Sequence, residues 1–208
     1  MTSNRLWLWA LSAGLMLGMG LVAPGLVPAA AAQGTVVAGV EMGPFVMPGN
    51  HFSADLPRRW TNWADAREAA RTKAYGVYLT GPEPQKGAPV LISVRYFAPG
   101  NTIFTNEEDY VRRNAFPSRI LPPLKGEKFG PIRKIAVAGR EARAFNRETL
   151  EYYPPHSINT QEIPVKELIV VAPAGGGFFV LHYHAPTSVF DRYAPVFDRV
   201  LESFKPGH

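Results

Sequence analysis

Glu167-Leu168-Ile169-Val170-Val171-Ala172-Pro173, Ala174-Gly175-Gly176-Gly177 and Phe178-Phe179-Val180-Leu181-His182-Tyr183-His184 follow one another without a break, and the fold turns on how they are read. Two short apolar runs, rich in β-branched and aromatic residues and separated by a glycine cluster, predict two strands joined as an antiparallel hairpin. Pro186 closes the second run. From about Ser188 to Phe204 the pattern changes to helical: Phe190, Tyr193, Phe197, Val200, Leu201 and Phe204 make one apolar stripe. Asp191, Arg192, Asp198, Arg199 and Glu202 fall mostly between them, as a solvated face should. Ser188 with Asp191 three residues on fits a capping box. Pro195 lacks the amide donor that a helix interior needs, so the regular helix is expected to start near Ala194, with a kink at the proline as the alternative. A hairpin with a helix folded back onto it sets the architecture.

Working outward, Glu151 to Pro164 carries Tyr152-Tyr153-Pro154-Pro155-His156 and interrupts two would-be neighbouring strands, so it is expected to be a crossover or lid-like loop. Before it, Pro131–Val137 and Glu141–Thr149 read as strands around an Ala138-Gly139-Arg140 turn. Thr105-Asn106-Glu107-Glu108 opens a helix that runs to about Ala115, with cap-type and then acidic residues at its positive end. Pro89–Phe97, Ala74–Thr80 and His51–Pro57 read as strands, and Ala64–Lys73 as one or two helical turns. Residues 33–49 read as an irregular lead-in with a possible edge strand over 35–40. Hairpin turns dominate and helices are few. The fold class is therefore α+β: a mostly antiparallel, twisted sheet with helices packed on it.

The N-terminus has a separate logic. Arg5 is followed by an uncharged apolar stretch, Leu6 to Val22, then Pro24, Gly25, Pro28 and Ala30-Ala31-Ala32. A positive start, an apolar core and a small-x-small end describe a signal peptide over 1–32, cleaved after Ala32, with an uncleaved anchor as the alternative. This implies a periplasmic or secreted protein with one domain over 33–208 and no stable membrane insertion after cleavage. Cysteine is absent, which excludes disulfides and thiolate sites and leaves stability to core packing. A net charge of +5, one unit of it from Arg5, is too mild for a nucleic-acid binder, and export argues against that partner as well.

Three features of the mature chain resemble PsbP-like proteins and the Ran-release factor Mog. Phe52-Ser53-Ala54-Asp55-Leu56-Pro57 followed by Trp60 is similar to the family's opening strand. Val137-Ala138-Gly139-Arg140-Glu141-Ala142 is similar to its hairpin. Phe179 to Pro186 with Phe190, Tyr193, Pro195, Phe197, Val200, Leu201, Ser203 and Phe204 is similar to its last strand and helix. The resemblance implies an α/β/α sandwich and an accessory or binding role. It carries no catalytic residue across, and nothing here matches the metal-retaining role of PsbP proper.

Two chemical candidates stand beside that resemblance. His182 and His184, at i and i+2 on a strand, share a face, a spacing that can chelate a metal if His156 or an acidic residue of 148–162 joins them. The plainer reading is a polar sheet face in which they hydrogen-bond, so no cofactor is expected. Residues 125–147 hold seven Lys or Arg against Glu127 and Glu141. Arg143 and Arg147 share parity and, with Tyr152, Tyr153 and His156, form the expected binding surface for a protein partner or an anionic ligand. An ordinary solvated strand face is the alternative. Neither a nucleophile elbow nor a phosphate loop is present. The expectation is thus an exported, non-catalytic binding protein. The alternative is a small metal-dependent or hydrolytic enzyme built on His182 and His184.

Overall fold

The computed structural model describes residues 39–82, 88–118, 122, 125–155 and 157–207. The expected signal peptide, most of the possible strand at 35–40 and His156 lie outside these residues. In chain order the elements are β1 (Met42–Val46), β2 (Phe52–Pro57), β3 (Thr61–Trp63), α1 (Ala66–Thr72), β4 (Ala74–Thr80), β5 (Leu91–Phe97) and α2 (Glu107–Asn114). The second half adds β6 (Lys128–Phe129), β7 (Arg133–Val137), β8 (Arg140–Tyr153), β9 (Gln161–Ala174), β10 (Gly177–Pro186), α3 (Phe190–Ser203) and β11 (Lys205–Pro206).

One sheet has the order β3-β4-β5-β10-β9-β8-β6, with β7 also paired to β8; a smaller one has the order β1-β2-β11. Every ladder is antiparallel. The β9–β10 hairpin is the centre of the large sheet, and β5 docks on its free side with Val94 opposite Leu181. Alternation then sorts the side chains. Val77, Leu79, Ile92, Val94, Val170, Ala172, Leu181 and Tyr183 form one buried cluster with Tyr193, Val196, Phe197 and Val200 of α3 and Phe52, Ala54 and Leu56 of β2. On the opposite face Phe97, Phe145, Ile169, Val171, Phe178 and Val180 pack under Tyr110, Val111 and Ala115 at α2. The α+β class and the layered arrangement are as the sequence implied.

Several expectations are corrected. The lead-in at 33–49 contains β1, which pairs with β2 from Met42↔Pro57 to Val46↔Ser53. Glu151–Pro164 is not a crossover or lid-like loop. β8 and β9 remain paired through Leu150↔Pro164, Glu151↔Ile163, Tyr152↔Glu162 and Tyr153↔Gln161, so this segment is the far end of a long hairpin arm. The Tyr-Pro-Pro sequence reads as a breaker, but Pro154 and Pro155 fall just beyond Tyr153, where the ladder has finished. α3 starts at Phe190 and keeps Pro195 inside it; its N-cap is Val189 and has no side-chain cap bond, so the Ser188–Asp191 capping box does not form. Buried Phe190 and Tyr193 hold the first turn in place, and the hydroxyl of Tyr183 donates to the Phe190 carbonyl at 2.6 Å. Those contacts offset the amide donor that Pro195 lacks.

Candidate functional site

An eight-residue α2 is only about 12 Å long, so it roofs part of its sheet face. Along β10, Phe178 and Val180 belong to the cluster it covers, while the next two residues of that parity, His182 and His184, begin a polar half. Register supplies their neighbours. His182 stands between Ser93 and Ile169, and His184 between Leu91 and Glu167. Arg147 of β8 flanks Glu167 on its other side.

Glu167 is the centre. Its side chain is 2% exposed, and Arg147 holds it in a fork, Nη2 to both carboxylate oxygens at 2.9 and 3.1 Å and Nε to Oε1 at 3.2 Å. His182 Nε2 meets Oε2 at 2.9 Å. Burial works against the carboxylate. The His182 hydrogen bond and the charges of His182, Arg147 and His184 outweigh it and bring the pKa to about 2. Burial holds His182 below the ordinary imidazole value in spite of Glu167, so near neutrality it serves as a neutral Nε2–H donor. A second pair lies alongside. His184 Nε2 meets Glu151 Oε1 at 3.0 Å, and the Tyr153 hydroxyl donates to Glu151 Oε2 at 2.7 Å. Burial opposes the His184 charge, but the bond to Glu151 and the charges of Glu151 and Glu167 raise its pKa overall. Glu151 is lowered, the His184 bond and charge exceeding the effect of burial. The two imidazole rings are 6.5 Å apart.

Arg95 borders this network. It lies on β5 opposite Gly76 and Val180, with its guanidinium carbon 5.0 Å from the Phe97 ring centre and 5.9 Å from that of Tyr78. Tyr78 is stacked on Trp63 at 4.4 Å. Among the described residues, three buried polar atoms on this face have no hydrogen-bond partner: Arg95 Nε, Thr149 Oγ1 and His184 Nδ1.

The sequence candidates are distributed as follows. His182 and His184 share the face, each with its Nε2 on a glutamate, and Glu151 comes from the acidic segment named as a source of a third group. Among the described residues no group of three or more His, Cys, Asp or Glu is placed to hold a metal ion. Arg143 and Arg147 share the face, but both are engaged. Arg143 bonds Glu107 and Glu108 at the start of α2, and Arg147 bonds Glu167. Elsewhere in the basic run Lys125 pairs with Glu162, Lys128 with Glu148 and Lys134 with Glu141. Tyr152 is exposed on the hairpin arm, its hydroxyl 3.3 Å from Glu162. Sequence reasoning did not single out Glu167 or Arg95. A glutamate opening an otherwise apolar strand, and an arginine inside the strongest strand of the first half, were the available signals.

A cleft of about 450 Å³ lies at the opposite edge of the large sheet, lined by Gly39, Val40, Glu41, Arg59, Trp60, Thr61, Thr80, Gly81 and Pro82. It takes in neither histidine.

No family model matches the chain, and no curated protein matches it. Solved structures of similar fold exist at low identity. A cyanobacterial PsbP (CyanoP) from Synechocystis matches at 12% identity and TM-score 0.48, covering 82% of this chain and 95% of that one. LpqN, described as involved in cell envelope biogenesis of Mycobacterium tuberculosis, matches at 15% identity and TM-score 0.43, covering 81% and 91%. A protein from Bacteroides thetaiotaomicron matches at 12% identity and TM-score 0.45, covering 79% of this chain and 48% of that one, so the present chain spans about half its length. The likeness is one of fold.

Proposed function

We propose that this is an exported binding or accessory protein without catalytic turnover, and that the polar half of the α2-side sheet face is its recognition surface. The observation that carries the reading is the closed state of both histidine pairs. Each imidazole spends its Nε2 on a glutamate, Glu167 is charge-balanced by Arg147, and His184 Nδ1 has no hydrogen-bond partner among the described residues. A general base needs a nucleophile or a water within hydrogen-bond reach, and among the described residues neither histidine hydrogen-bonds a hydroxyl, although Ser93 is the ladder neighbour of His182. Among the described residues the face nevertheless buries three polar atoms without a protein partner, Arg95 Nε, Thr149 Oγ1 and His184 Nδ1, hydrogen-bonding capacity that a ligand could take up. Export rests on the 1–32 pattern. Among the described residues no helix is long and apolar enough to cross a membrane.

A panel of ester, phosphate and glycoside substrates, with and without added zinc or manganese, tests the absence of turnover. The expected result is no rate that differs between the native protein and His182→Ala. Turnover that vanishes with His182→Ala would establish the second reading, a hydrolase on the His182/His184 face. Intact mass of exported protein should begin at Gln33. Retention of Leu6 to Val22 would make that segment an anchor.

A further inference from the structure

We propose that Arg95 and the stacked pair Trp63–Tyr78 form a subsite for a planar ligand bearing a carboxylate or a similar oxyanion. The inference rests on the binding reading above and names the ligand chemistry of one part of that face.

Arg95 differs from the other arginines of this sheet face and of the helix that covers it. Arg112 and Arg113 pair with Asp109, Arg143 with Glu107 and Glu108, and Arg147 with Glu167. Among the described residues no carboxylate pairs with Arg95. Its polar contact is with the Tyr110 hydroxyl, and its Nε is sealed from solvent without a partner. A guanidinium offers five N–H donors in a fixed planar fork, and a carboxylate takes two of them side by side. Among the described residues only the Tyr110 hydroxyl draws on that capacity. Glu167 does not supply the missing acceptor, because Arg147 and His182 already take its oxygens.

The surroundings favour this position for the cation. Gly76 is directly across the ladder from Arg95. A Cβ at position 76 would stand 2.6 Å from Arg95 Cγ, so the glycine leaves the room in which the stem lies. The faces of Phe97 and Tyr78 attract the guanidinium by their quadrupoles, which orients it without using its donors. Next along the face comes an aromatic platform. Tyr78 and Trp63 are nearly parallel, at 12°, on the edge strand and its neighbour, and Trp63 is 50% exposed. The sequence Trp63, Tyr78, Arg95 thus runs from an open aromatic edge to a cation with free donors. A flat body stacked at the edge would place its anionic group toward the fork.

Benzoate is the probe, with benzamide as its neutral counterpart and inorganic phosphate as an anion without a ring. In the ¹⁵N-labelled mature chain, the Arg95 Nε–H and Trp63 indole N–H resonances report the two halves of the subsite separately. Benzoate is expected to shift both saturably, and benzamide to bind about tenfold more weakly or worse, as loss of a charge-assisted bidentate pair requires. Arg95→Gln should weaken benzoate by about tenfold or more, and Arg95→Lys, which keeps the charge but not the fork, should fall between. Trp63→Ala, at an exposed position, should weaken benzoate and leave phosphate unchanged. Equal binding of benzamide and benzoate, indifference to both Arg95 variants, or no saturable shift of either resonance would overturn the subsite. Phosphate binding as tightly as benzoate, unaffected by Trp63→Ala, would overturn its planar half. The lysine variant keeps the test informative if the glutamine variant does not fold. His182-dependent turnover would defeat the binding reading, and lack of benzoate selectivity would defeat only this inference.

Discussion

Glu167 shows how a residue that looks like a flaw in an apolar strand becomes the site's fixed point. A carboxylate this buried survives only with its charge compensated and its oxygens bonded, and Arg147 with His182 does both. Its pKa of about 2 lies below the ordinary 4.5. The unfolded chain therefore binds the proton more readily, and the stabilisation is complete above about pH 4.5 and is lost as pH falls toward 2. That loss is expected to be on the order of 2–3 kcal/mol, read from denaturant melts at stepped pH. Glu167→Gln should flatten this acid limb without abolishing it, because Glu151 is also lowered. It should also cost about 3–5 kcal/mol at neutral pH by stranding Arg147. A variant with the native acid slope would show that other carboxylates govern it. The two histidines oppose each other. His184, raised, stabilises below pH 6.5 and loses that contribution as pH climbs through its folded value. His182, lowered, favours folding at higher pH. Of the two arginines expected to receive a partner, Arg147 is part of this balance, and Arg147→Glu would set a second carboxylate against buried Glu167.

At the scale of elements, local chemistry was legible wherever one strand or helix carried its own punctuation. The span Ala74–Thr80 was read correctly because Gly81-Pro82 stops it, and the turn expected over Ala138-Gly139-Arg140 is one residue shorter, since Arg140 already pairs with Val137 as the start of β8. Both turn residues have positive φ, +48° and +73°, across a two-residue loop closed by Val137↔Arg140. This is the form that matches strand twist and prefers Asn-Gly. Alanine at 138 is strained there, so Ala138→Asn should stabilise by about 0.5–1 kcal/mol, checked by the denaturant midpoint at constant m. A loss of stability would mean that the alanine methyl is needed. What escaped were features decided at a distance. The arm beyond Thr149 reads as a loop residue by residue and becomes strand because β8 and β9 are already in register. The start of α3 is set by the burial of Phe190 and Tyr193 rather than by Ser188. The stripe itself was legible: Phe197 is fully buried and lies 5.6 Å from the Tyr183 ring. Phe197→Ala should cost about 3–5 kcal/mol, and a loss under about 1 kcal/mol in denaturant melts would show that the stripe is not seated on the core.

At the scale of the whole molecule, the ends of the described chain hold the layers together. The resemblance noted in the sequence reached this far because its motifs are packing positions. It did not reach the polar face, since nothing in spacing alone tells that Arg147, Glu167 and His182 come from three adjacent strands. Closure of the small sheet depends on the last residues. Phe204 is 2% exposed and packs on Phe52 and Phe179, with ring centres 6.1 and 5.2 Å away. β11 then pairs Lys205 with Ser53 and Pro206 with Phe52, and the Gly207 amide donates to the His51 carbonyl at 2.8 Å. A chain ending at Ser203 loses a buried phenyl ring, worth about 3–5 kcal/mol, and several backbone bonds, worth about 0.5–1.5 kcal/mol each. Against a total of about 5–15 kcal/mol for a domain, truncation should lower stability by about 4 kcal/mol or more. Because β2 contributes Phe52, Ala54 and Leu56 to the same cluster as α3, the loss should extend beyond the terminus. Hydrogen exchange should rise across 42–57 as well as in the last turns of α3, while Ile169 and Val171, under α2, keep their protection. If exchange rises only after residue 200 and the melt shifts by less than about 1 kcal/mol, the small sheet closes without its last strand.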